Sequence, residues 1–278
     1  MSAPAPPLAP DLAAGLKRLK LATIRAQAPE VLQVAKTQRW APEELLRALI
    51  EAELAARDRA NRAARLKVAG FPNAKRLEDF QVAASSVPRA TFEYLASLEW
   101  VRAPENCLVV GPAGTGKSHL LLGCGHRAVE QGLRARYFVA ADLVETLYRG
   151  LADNTVGKVI DQLLRADLVL IDELGFAPLD EVGTQLLFRF VAAAYERRSV
   201  GIASHGPFED WGRFLPVQTT AAALLDRLLH HAVVVVTAGE SFRLREARRR
   251  PARTLTGPPA AQPAEGRTPR EPVGRPVA

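Results

Sequence analysis

Eight consecutive residues set the strongest limit on how this chain can fold: Gly111-Pro112-Ala113-Gly114-Thr115-Gly116-Lys117-Ser118. In such a run the glycines let backbone N–H groups close around phosphates, the lysine reaches the β and γ oxygens, and the hydroxyl can ligate magnesium. The run follows apolar Leu108-Val109-Val110 and precedes Leu120-Leu121-Leu122. It must therefore turn a strand into a helix, whose N-terminus favours anions. This context predicts a cradle for ATP and Mg2+ made by Gly111, Pro112, Ala113, Gly114, Thr115, Gly116, Lys117, Ser118 and the next residue, His119.

A second segment, Asp167-Leu168-Val169-Leu170-Ile171-Asp172-Glu173, reads as a buried strand tipped by two carboxylates. Asp172, together with Ser118, is suited to holding magnesium through water. Glu173 is suited to polarising an attacking water, so the pair points to hydrolysis rather than binding alone.

Around these motifs the pattern changes along the chain. Residues 1–11 are Pro/Ala-rich, and residues 249–278 are rich in Pro, Gly and Arg, so both are expected to be disordered. Residues 12–69 are helical in pattern: Leu16, Leu19 and Ile24 come first, then Trp40-Ala41-Pro42-Glu43-Glu44 starts a second helix. Gly70-Phe71-Pro72 ends that helix and opens a linker over 70–81. From 82 to 248, short apolar runs alternate with helical segments, which predicts a three-layer α/β/α domain on a parallel sheet. The expected strands are Cys107–Val110, Tyr137–Val139, Leu168–Ile171, Val200–Ala203 and Val233–Val236; the expected helices include His119–Glu130, Leu143–Tyr148, Gly183–Arg197 and Ala221–His230.

The net charge of +7 is unevenly spread. Residues 1–80 carry 14 Lys/Arg against 9 Asp/Glu, residues 81–240 carry 14 against 18, and residues 241–278 carry 9 against 3. Basic flanks suit a polyanion, and five cations (Arg57, Arg59, Arg62, Arg65 and Lys67) crowd the end of the second helix. They are the candidate DNA contacts, although a solvated basic face has the same composition. No base-reading motif accompanies them, so binding to duplex DNA is expected to be largely non-specific. Cys107 and Cys124 fall in apolar segments without metal-ligand or disulfide spacing and read as small buried hydrophobes. No run is apolar enough to span a bilayer and no signal peptide pattern begins the chain, so a cytoplasmic location with no membrane contact is expected.

Two later elements are similar to accessory parts of AAA+ ATPases. The strand Val200–Ala203 leads into Ser204-His205, where that superfamily usually presents a γ-phosphate-sensing polar residue, often asparagine; His205 departs from the pattern but can still donate a hydrogen bond. In Leu224-Leu225-Asp226-Arg227-Leu228-Leu229 an arginine sits on an apolar helix. Such an arginine can act as a finger on a neighbouring subunit's nucleotide, or pair within its own helix.

The order of motifs from about Leu16 to Arg248 resembles IstB-like proteins, ATP-binding helpers of insertion-sequence transposition. The likeness is carried by Phe71-Pro72, Leu77-Glu78-Asp79-Phe80, Gly111–Ser118, Ile171-Asp172-Glu173-Leu174-Gly175-Phe176-Ala177-Pro178-Leu179 and Pro207-Phe208-Glu209-Asp210-Trp211. It continues through Ala222–His231 and Gly239-Glu240-Ser241-Phe242-Arg243-Leu244. The resemblance implies a regulator that forms a homo-oligomer on DNA with ATP, recruits a DDE-type transposase and disassembles on hydrolysis. It also implies that the helical region 12–69 serves self-association and DNA or partner contacts. The related DnaC-type helicase loaders supply the alternative reading.

Overall fold

The computed structural model describes residues 5–249, so residues 1–4 of the expected leader and all of the expected tail but Arg249 lie outside it. Three helices come first: α1 (Pro10–Arg18), α2 (Ala22–Gln38) and α3 (Pro42–Ala69). The sequence pattern suggests two. The extra break lies at Lys20, which takes φ 57° without glycine or proline to announce it, and Leu21 N–H donates to the Leu16 carbonyl. Helix α3 starts where proline and two acids predict, with the Ala41 N–H donating to the Glu44 carboxylate at 3.1 Å. It stops at left-handed Gly70.

The contact among these helices is polar at its centre. Glu53 on α3 is buried and accepts the Thr23 N–H (2.8 Å) and Ile24 N–H (3.1 Å), donors that the start of α2 leaves without helical partners. Arg57 donates to Glu53 at 2.9 Å and to the Lys20 carbonyl at 2.9 Å, closing the corner. These bonds, that of the Ile24 N–H foremost, hold the Glu53 carboxyl below its ordinary value.

Beyond α3 the chain builds a five-stranded parallel sheet in the order β2-β3-β4-β1-β5: β1 (Asn106–Val110), β2 (Ala135–Val139), β3 (Leu168–Leu174), β4 (Ser199–Ser204) and β5 (Ala232–Val236). All neighbouring pairs are parallel. Residues along the interior strand β3 alternate between two buried clusters, as the two-residue period of a strand covered on both faces requires. Leu168 and Leu170 enter one cluster, Val169 and Ile171 the other.

One face is covered by α4 (Arg89–Ser97), α5 (Glu99–Arg102), α6 (Lys117–Glu130) and the end of α3. The opposite face is covered by α7 (Ala140–Ala152), α8 (Val156–Leu163), α9 (Glu181–Ala194) and α10 (Gln218–His230). A last helix, α11 (Phe242–Arg249), follows β5. The three-layer α/β/α class expected from the sequence is the observed one. Cys107 and Cys124 are free and buried; burial pushes the Cys107 thiol well up and the Cys124 thiol to about 12. Among the described residues, no helix is long and apolar enough to cross a membrane.

The segment expected as a linker is a strap laid along α6. Phe71 packs on the His126 ring at 4.4 Å, His126 Nε2 lies 2.9 Å from the Asn73 carbonyl, and Leu77 is buried where Gly123 leaves room. Ion pairs Arg76–Glu130 and Arg127–Glu78 flank it.

Candidate nucleotide site

In a parallel sheet, ligands gather beyond the carboxyl ends of the strands where neighbouring connections diverge. Here those ends bring together the tips of β1, β3 and β4 with the strap and the start of α11. The cleft they form is lined by Ala113–His119, Asp172, Glu173 and His205, with Lys75, Asp79 and Phe80 on one wall and Phe242, Arg243 and Arg245 on the other.

The loop joins β1 to α6 with Gly111 at φ 141° and Gly114 at φ 80°, both in the region that side chains resist. Crowding adds a second reason for glycine at each. A Cβ on Gly111 would overlap Thr237, and one on Gly114 would overlap Ser241. The chain after β5 therefore seats on the loop. Thr237 N–H donates to the Val110 carbonyl at 2.7 Å, the Thr115 and Thr237 hydroxyls are 2.7 Å apart, and Phe242 N–H donates to the Gly114 carbonyl at 2.9 Å. Buried Lys117 turns its Nζ onto the Pro112 carbonyl at 2.6 Å. Burial lowers its pKa from the ordinary lysine value, opposed by the charge of Asp172.

The two carboxylates leave β3 through a bulge. Ile171 pairs with Ile202 and Leu174 with Ser204, so Asp172 and Glu173 together oppose the single residue Ala203. Glu173 takes φ 59°, a strained conformation for a side chain with a Cβ, and its carboxylate is exposed while that of Asp172 is buried. Three donors hold Asp172: the Ser118 hydroxyl at 3.1 Å, the Tyr137 hydroxyl at 3.0 Å and the Glu173 N–H at 2.9 Å. Burial, then the charge of Asp172, pushes the Tyr137 phenol well up, so it stays a donor. An oxygen-only set of Ser118 and a fixed Asp172, beside a loop whose glycines expose backbone N–H groups, fits Mg2+ and a triphosphate.

Of the residues singled out from the sequence, Lys117, Ser118, His119, Asp172, Glu173 and His205 meet in this cleft. His119 places Nε2 2.8 Å from the Arg76 carbonyl and meets the Phe80 ring edge-on, while His205 lies against the ring of Phe176. Arg227 does not line its own chain's cleft. Its guanidinium donates to the Ala223 carbonyl at 2.9 Å and stacks over the Phe188 ring. No local pattern marks Tyr137 or Thr237 as part of the site, and the motif that contains Phe80 does not reveal that it walls the cleft, because each depends on which strand or segment lies next to another.

The basic run on α3 divides. Arg57 is committed to Glu53 and Lys20, whereas Arg59, Arg62 and Lys67 are exposed. Arg65 faces a second cleft between α3 and β2 that also holds Arg134, Arg136 and Arg165.

The IstB-like ATP binding protein family profile matches residues 14–250. The chain is 32% identical over 235 residues to an insertion sequence IS21 putative ATP-binding protein of Pseudomonas aeruginosa, covering 84% of this chain and 89% of that one. It is 34% identical over 248 residues to a putative insertion sequence ATP-binding protein of Sinorhizobium fredii (strain NBRC 101917 / NGR234), covering 88% and 83%. Among solved structures, AMPPCP-bound DnaA from Aquifex aeolicus superposes with a TM-score of 0.50 at 22% identity over 64% of this chain and 55% of that one, a likeness of fold. Profile, relatives and the assembled cleft agree: this chain belongs to the IstB-like ATP binding protein family.

Proposed function

We propose that this protein is a magnesium-dependent ATPase that regulates DNA transposition in the cytoplasm, assembling on duplex DNA with ATP, recruiting and stimulating a DDE-type transposase, and disassembling on hydrolysis. The observation that carries the hydrolytic reading is the β3 bulge, which leaves exposed Glu173 beside a buried, triply bonded Asp172 at the phosphate loop. Ser118 and Asp172 would hold Mg2+, which neutralises charge gathering on the β and γ oxygens. Lys117 moves from the Pro112 carbonyl to those same oxygens. Glu173 orients a water so that its oxygen bonds to the γ phosphorus as the β–γ bridge breaks, and accepts the proton released. His205, at the end of β4, can donate to the γ phosphate. Because Arg227 is turned away from its own cleft, it fits a finger offered to the neighbouring subunit of a homo-oligomer.

Self-association is supported by α3, where Leu46, Ile50 and Leu54 recur every fourth position and are 60%, 43% and 55% exposed. DNA contact is supported by Arg59, Arg62, Arg65 and Lys67, and by the arginine-lined cleft that extends their row beside β2. The insertion-sequence names of the relatives favour transposition over helicase loading.

The test is to size the protein with duplex DNA in ATP, in ADP and without nucleotide. Assembly confined to ATP, and locked on by Glu173→Gln, is expected. The same size in all three states, or undiminished hydrolysis in Glu173→Gln, would overturn the reading.

A further inference from the structure

The opposite end of the sheet, away from the nucleotide cleft, holds a second group of ligating side chains. Glu196 lies in the connection from α9 to β4, and His230 and His231 lie where α10 passes into β5. One donor atom from each falls within 4.8 Å of the others. His231 Nε2 and Glu196 Oε1 are 3.5 Å apart, beyond an ordinary hydrogen bond of roughly 2.9 Å. That spacing instead matches the edge of a tetrahedron, about 3.4 Å, around an ion with ligand bonds near 2.1 Å. The two imidazole rings sit side by side with centroids 4.1 Å apart.

The surroundings orient one ring and brace the backbone beneath the others. Tyr195 Oη is 2.6 Å from His230 Nδ1, which orients that ring and leaves Nε2 as its remaining ligand atom, an arrangement used to fix metal-bound histidines. The two connections are themselves tied together through buried Asn106 at the start of β1. Its Nδ2 donates to the Leu228 carbonyl, its Oδ1 accepts the Val200 N–H, and its backbone N–H donates to the His231 carbonyl at 2.7 Å. The cluster is exposed, so water can complete the coordination of an ion without burying an unpaired charge.

We propose that Glu196, His230 and His231 bind one borderline divalent transition-metal ion of the zinc class, with Tyr195 as the positioning residue. Two imidazoles and one carboxylate select such an ion over magnesium or calcium, which take oxygen ligands. The ion ties the end of α10 to the α9–β4 connection. Arg227 lies on α10 one turn before His230, so the ion also stiffens the helix that carries it.

The experiment titrates the full, untagged protein with ZnCl2 by calorimetry, in saturating MgCl2 so that the phosphate-loop carboxylates are occupied. CoCl2 is used in parallel for its visible absorption. One equivalent of Zn2+ should bind, and Co2+ should give the intense bands of a four-coordinate site. The double substitution His230→Ala/His231→Ala should abolish both signals. Tyr195→Phe should weaken Zn2+ about tenfold, as loss of an outer partner does. Melting temperatures of the metal-free variants should match the parent, separating loss of ligands from loss of fold. No uptake of Zn2+, or unchanged affinity in the double variant, would overturn the proposal.

Discussion

The N-terminal helices and the sheet domain are stabilised in opposite ways. Between them α1, α2 and α3 bury only Ala28, Ala35, Glu53 and Ala69, and their centre is a carboxylate satisfied by backbone N–H groups and an arginine. The sheet domain buries two apolar clusters with Trp100, Trp211 and Phe190 fully enclosed. Side chains such as Phe190 each contribute roughly 1.5–3 kcal/mol on burial, whereas a buried polar group mainly avoids a penalty by keeping its partners. The sheet domain is therefore a rigid frame that fixes the nucleotide site. The helical region only half-buries Leu16, Ile24, Leu45 and Leu49, and it leaves Leu46, Ile50 and Leu54 exposed, available to another surface.

The most severe break of this contrast is Phe190→Ala, expected to cost about 3–5 kcal/mol in urea unfolding of the sheet domain, while Ile50→Ala in the isolated chain should change it by less than about 0.5 kcal/mol. Comparable costs would show that α3 packs as firmly as the core. Next, Lys117→Ala should weaken ATP binding by about a hundredfold or more, since a buried cation at the β and γ phosphates is removed, without altering the far-ultraviolet spectrum. Unchanged affinity in a fluorescent-nucleotide titration would remove the site from the loop.

Within the basic run, replacing Arg62 and Arg65 by alanine should reduce the slope of log affinity for duplex DNA against log salt by roughly 0.9 for each phosphate no longer neutralised. Arg57→Ala should leave that slope alone and loosen the α1–α2 corner. Equal slopes for both variants would move the DNA-binding surface elsewhere. The smallest effect concerns acid. The Glu53 pKa is lowered in the folded state, so its contribution is complete above the ordinary value of 4.5 and fades as pH falls through the lower folded value. Amide exchange should show α1 and α2 opening in that acid window while β1 and β3 stay protected.

Much of the site was legible because its parts are contiguous. Gly111–Ser118 carries both the loop's backbone requirements and its chemistry, and Asp172-Glu173 follows its strand directly. Helix starts at Pro42 and stops at Gly70 were readable for the same reason, since proline and left-handed glycine act locally. The break at Lys20 leaves no mark in the sequence because an ordinary lysine carries the positive φ. The β3 bulge was hidden too, since a register shift is a property of two strands.

By itself, then, the sequence determined the class of fold, the phosphate loop and the acidic strand tip, all set by short-range backbone geometry and hydrophobic period, while the family was carried by the likeness of its motifs. Tertiary structure alone decided the strand order and so set Tyr137 on Asp172, seated Thr237 and Phe242 on the loop, and laid residues 70–81 against α6 as a wall of the cleft. It also tied Arg57 to Glu53 and Lys20 and set Arg227 over Phe188, outside its own cleft. The physical reason is common to all of these: each depends on contacts between residues far apart in the chain, which packing of the two apolar clusters selects and no local pattern encodes.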